Sequence, residues 1–105
     1  MRISVTVKDI ENGEAWDPEN CPIAVAIKRI CPDAKKGYLV VFQRSIRFMN
    51  CKTAENQRYL AGYRFIALPE IATRFICAVD KNKKVEPFEF DLPIECDWFT
   101  TEEPA

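Results

Sequence analysis

The hydrophobic period of this chain switches repeatedly between two and three-to-four residues, and proline or a polar cluster marks each switch. In residues 2–7, RISVTV, Ile3, Val5 and Val7 fall on one side and Arg2, Ser4 and Thr6 on the other, the pattern of a strand with one wet face. A polar connection, KDIENGEAWDPEN, follows, with room for a short helical turn near residues 9–14 and with Trp16 as an anchor onto the core. From residue 21 to 31 the spacing of Ile23, Ala26, Ile27, Ile30 and Cys31 is helical, with Asn20 as the expected cap and Pro22 in the first turn. Pro32 and Gly37 end that helix.

The next stretch, YLVVFQRSIRFM over residues 38–49, is rich in β-branched and aromatic side chains and reads as one long, bent strand. A polar loop separates it from YLAGYRFIA, residues 59–67, which returns as the second arm of a hairpin with Tyr59, Ala61, Tyr63 and Phe65 on one face. Leu68 and Pro69 open a second helix with Ala72, Phe75, Ile76 and Val79 as its apolar stripe and Arg74 outward. PFEFDL closes the pattern as a strand with Phe88, Phe90 and Leu92 inward. The resulting order, β-α-β-β-α-β, is that of a ferredoxin-like α+β sandwich, one antiparallel four-stranded sheet with two helices on one face; a β-hairpin with the remaining strands paired separately is the fallback. Residues 1–92 are expected to form this single domain, and residues 93–105 an acidic, aromatic tail.

Its 105 residues suit one core, and a composition 48% hydrophobic and 30% charged suits ordinary globular folding without metal or disulfide help; no cofactor is expected. No stretch of the sequence is long and apolar enough for a membrane span or a signal peptide, so a cytoplasmic setting is expected. The five cysteines, Cys21, Cys31, Cys51, Cys77 and Cys96, are odd in number and widely spaced, which predicts reduced, mostly buried thiols.

NCPIAVAIKR and ALPEIATRFICAVDKNKKVEPFEF together resemble a set of small uncharacterised proteins of phage and actinobacterial genomes. The likeness covers residues 20–90 and rests on an Asn-Cys-Pro-Ile-Ala-x-Ala helix start and a Pro-Phe-x-Phe strand. It implies a fold and a phage setting, and no activity or catalytic residue.

Cys21 stands where a helix N-terminus can lower a thiol's pKa, which is the case for a cysteine-dependent enzyme. The chain contains no histidine to act as its base, and no glycine-rich phosphate cradle follows it. A packing role is the preferred reading and no enzymatic activity is expected. Paired cysteine or histidine ligands at zinc spacing are missing too.

Charge is strongly segregated: residues 1–20 carry −3, 21–52 carry +6, 53–85 carry +3 and 86–105 carry −7. Acidic ends folding against a basic middle would account for this, and so would a partner surface. Arg44, Arg47, Arg58 and Arg64 lie on or beside the hairpin with Tyr59 and Tyr63 between them, the mixture that grips phosphate while stacking on bases. A nucleotide-type ligand needs only two or three such arginines. Nucleic acid is the alternative, opposed by a pI near 5.5. Trp98 and Phe99, amid acidic residues, offer an aromatic anchor for a protein partner. The combined expectation is a small homo-oligomeric binding or inhibitory module acting on a host protein or on a nucleotide-type ligand.

Overall fold

The computed structural model describes residues 1–35, 38–49 and 63–96. Among them are three α-helices and five strands in two antiparallel sheets, so the chain is of mixed α and β class. None of these helices is long and apolar enough to cross a membrane.

Strand β1, Arg2–Val5, buries Ile3 and Val5 and ends earlier than its alternation predicts, because Thr6 caps a helix. The Thr6 hydroxyl accepts the Asp9 N–H at 3.2 Å and the Asp9 carboxylate accepts the Thr6 N–H at 2.9 Å, a reciprocal capping box that starts α1, Val7–Asn12. Gly13 then passes so close to the next helix that a Cβ there would lie 2.5 Å from the Pro22 nitrogen. Helix α2, Pro22–Ile30, begins with Cys21 as its N-cap residue instead of Asn20. Asn20 is engaged elsewhere: its amide and its backbone N–H both donate to Asp17. The predicted face of α2 holds, with Ile23, Ala24, Ala26 and Ile27 fully buried.

A 3-10 turn, Pro32–Lys35, leads to β2, Tyr38–Val41, and β3, Ser45–Met49. The single long strand expected over residues 38–49 is therefore a tight antiparallel hairpin, closed by the Phe42 N–H donating to the Ser45 carbonyl at 2.8 Å. The reason lies in parity: Leu39 and Val41 must face the same core as Ile46 and Phe48, and an uninterrupted period of two would put odd and even positions on opposite faces. Strand β4, Tyr63–Ala67, pairs with the free side of β3, with Arg47 opposite Phe65 and Phe48 opposite Arg64.

Helix α3, Glu70–Asp80, follows Pro69 and buries Ala72, Phe75 and Ile76 as its spacing predicts, with Val79 half-buried. It stops at Lys81, and Asn82 takes a left-handed φ of 57°, a conformation Asn tolerates better than other non-glycine residues. Strand β5, Phe88–Asp91, pairs antiparallel with β1. Phe88 stacks 4.6 Å from Phe75 and 5.4 Å from Phe90, tying α3 to this small sheet.

The four-stranded ferredoxin-like sheet of the sequence reading is replaced by a two-stranded sheet, β1-β5, and a three-stranded one, β2-β3-β4. The turn at residues 42–44 makes the first arm of the expected hairpin a hairpin of its own, with β3 central between β2 and β4 and with β1 paired to β5 alone among the described strands. Both sheets share one hydrophobic core, centred on α2.

That core continues past β5. Leu92 and Ile94 are buried, and Cys96 is disulfide-bonded to Cys31 at the end of α2, with Cα atoms 5.0 Å apart. The expectation of reduced thiols is corrected for this pair: 65 residues separate them in sequence, and only the return of the chain along β5 brings them together. Cys21 is a buried free thiol, Cys77 a half-buried one, and Cys51 lies outside the described residues.

Candidate functional site

The three-stranded sheet has two unlike faces. Leu39, Val41, Ile46 and Phe48 point into the core; Val40, Arg47 and Phe65 stand in register on the other side. Phe65 is 61% exposed there, an unusual position for a large apolar ring. The Arg47 guanidinium lies over the Phe42 ring, 5.6 Å from its centroid, a cation–π geometry that ties the arginine to the turn. Phe42 is itself exposed.

Of the arginines singled out in the sequence, this face gathers Arg47 alone among those whose side chains are described. Arg44 is exposed at the turn and lines a separate recess of about 460 Å³ with Glu70, Thr73, Arg74 and Cys77. Arg74 there is ion-paired with Glu70 at 2.7 Å. Tyr63 stands opposite Met49 and Arg64 opposite Phe48 in the strand register, so neighbouring positions on β4 alternate between the sheet's faces. Arg58, Tyr59, Trp98 and Phe99 lie outside the described residues.

The acidic strand β5 pairs with a cation of its own sheet. Glu89 and Asp91 flank Arg2 across the two-stranded sheet, at 3.0 and 3.5 Å. A second charged group joins a buried carboxylate to a half-exposed arginine. Asp9, 2% exposed, receives the Arg29 Nε at 3.1 Å and Nη2 at 3.0 Å, and Nη2 also reaches the Ser4 carbonyl at 2.8 Å. Burial alone would raise the Asp9 pKa, but the Arg29 guanidinium and the hydrogen bonds from Thr6 outweigh it and hold the carboxyl below its ordinary value. This cluster fastens α1 to α2 and β1.

Cys21 is 5% exposed. Burial pushes its thiol pKa up, and the carboxylates of Asp80 and Asp17 push it further, against the opposing N–H groups of Ala24 and Ile23 at the helix start. The helix terminus thus fails to make a thiolate, because burial outweighs the helix-start N–H groups and the nearby carboxylates add to it. The thiol packs as a small apolar group lining a recess that Trp16 and Phe42 also line. Among the described residues no three cysteine, aspartate or glutamate side chains converge as a metal site would require.

Sequence reasoning missed Phe42 and Phe65 as surface groups. The strand alternation sets Phe65 opposite to Arg64 and Ile66, and only the burial of Ile46 and Phe48 on the other face shows that Phe65 is outward. Compared with family models, with curated proteins and with solved structures, the chain matches none.

Proposed function

We propose that this protein is a non-enzymatic binding module that docks a partner protein on the outer face of its three-stranded sheet. The observation that carries the reading is the exposed Phe65 beside Arg47, with Phe42 under the guanidinium. Aromatic rings and arginine are the residues that dominate protein–protein binding energy, and a sheet holds them with little ordering left to lose on docking. The high-pKa thiol of Cys21 argues against cysteine catalysis. Inhibition of a host protein, the role fitting the phage-like sequence motifs, belongs to the same proposal.

The test is a photo-crosslinking residue in place of Phe65, used in cells that express the chain. A discrete crosslinked protein that disappears on Arg47→Glu supports the reading. Crosslinks to nothing, or to a background unchanged by Arg47→Glu, overturn it. A nucleotide-type ligand is the second reading, favoured only by the guanidinium placed beside an exposed ring. It predicts saturable ATP binding that weakens with salt and is lost in Arg47→Ala.

A further inference from the structure

The recess above Cys21 is a second candidate site, independent of the sheet face. It encloses about 320 Å³, at the lower end of the range for small-molecule pockets. Three separate parts of the chain build it: the loop before α2, the β2–β3 turn, and the C-terminal end of α3. Its apolar lining includes Ile76, Val41, Cys21 and Phe42. Trp16 also lines it, a residue 71% exposed whose backbone takes a left-handed φ of 62°.

The polar groups of this recess are of one sign. Asp80 sits in the last turn of α3, where the helix dipole adds its negative end. Its carboxylate already accepts the Trp16 N–H at 2.9 Å and the Gln43 side-chain amide at 3.4 Å, which fixes its direction and leaves lone pairs over. Asp17 is held by N–H groups of Glu19 and Asn20. Among the described residues neither carboxylate has an ion pair. An apolar cavity bounded by two fixed carboxylates and an exposed indole lacks one component, a cation with an apolar body.

We propose that the recess between Trp16, Phe42, Ile76 and Asp80 binds a small organic ammonium ion, its charge against Asp80 and its hydrocarbon part in the cavity. The indole adds a cation–π surface for the same charge. Both carboxylates also influence the Cys21 thiol, so their field reaches the floor of the site.

The experiment is calorimetric titration of the full chain with three probes of one shape: 2-phenylethylammonium, uncharged 2-phenylethanol and anionic phenylacetate. The ammonium is expected to bind saturably, the alcohol at least about tenfold more weakly, as for loss of one charge-assisted hydrogen bond, and the carboxylate not at all. Asp80→Asn keeps an acceptor for Trp16 and removes the charge, and should weaken the ammonium by about the same factor. Gln43→Lys, at an exposed position, places the chain's own ammonium beside Asp80 and should abolish binding even if Asp80→Asn folds poorly. Equal binding of alcohol and ammonium, no saturation by the ammonium, or indifference to Gln43→Lys would overturn the proposal. Phe65→Ser should leave this binding unchanged, which separates it from the sheet-face reading.

Discussion

The two sheets treat their side chains in opposite ways. Around β1-β5 the groups find partners within the protein: Arg2 with Glu89 and Asp91, Asp9 with Arg29 and Thr6, Cys31 with Cys96, Phe88 with Phe75 and Phe90. The β2-β3-β4 sheet is equally well anchored on its inner face, yet it turns Phe65 and Phe42 toward solvent. Burial and internal pairing around the first sheet supply stability, while the second also carries large aromatic rings with much of their surface in solvent, the kind of surface recognition draws on. If that division is right, substitutions around the first sheet should cost folding, and substitutions on the second should cost binding at nearly constant stability.

The largest effect is expected from opening the disulfide. Cys31→Ser with Cys96→Ser removes a crosslink spanning 65 residues and should lower stability by about 3–4 kcal/mol in denaturant melts, as should reduction of the native chain. Next comes Gly13→Ala. The added methyl would press on backbone atoms of Pro22 and should cost about 1–3 kcal/mol, measured the same way.

Asp9→Asn should cost about 1–2 kcal/mol at neutral pH by weakening the cap and the charge pair. It should also change the acid response. The Asp9 pKa is depressed in the folded chain, so its contribution is complete above the unfolded value, near 3.8, and is lost as pH falls through the lower folded value. The native chain should therefore lose more stability than Asp9→Asn across that acid window, a difference visible in thermal melts at stepped pH.

Smaller still is Arg2→Ala, whose two partners are solvent-exposed; a loss of about 0.5 kcal/mol or less is expected. Phe65→Ser marks the end of the series. It should shift the melt by no more than about 0.5 kcal/mol while abolishing partner capture. A large destabilisation by Phe65→Ser would erase the contrast between the two sheets.

Much of the secondary structure was legible because it depends on neighbours in sequence. The stripes Ile23, Ala26, Ile27 and Ala72, Phe75, Ile76, and the alternation of Phe88, Phe90 and Leu92, each predict the face that is buried. The boundary at Thr6 was also written locally, as a capping box with Asp9 that the β-like residues before it concealed. The turn after Val41 was harder to see. Phe42 and Gln43 are not turn formers by type, and the only signal was the change of parity between Leu39, Val41 and Ile46, Phe48.

The candidate sites were less legible. An arginine-rich hairpin in the sequence becomes, in space, Arg47 on the outer sheet face and Arg44 beside α3, because Arg44 falls in the turn before β3 and not on the strand. Cys21 stood at a helix start in both readings, but the sign of its surroundings was set by Asp80, which lies 59 residues away along the chain.

By itself the sequence determined which segments are helix or strand and which of their sides seek the core, since hydrophobic period and capping act over a few residues. Tertiary structure decided the division into two sheets, the partner of Cys31, the burial of Asp9 against Arg29 and the meeting of Trp16 with Asp80. These are contacts between distant residues. They form only after competition for strand edges and buried space has been resolved across the whole chain, and no local pattern encodes that outcome.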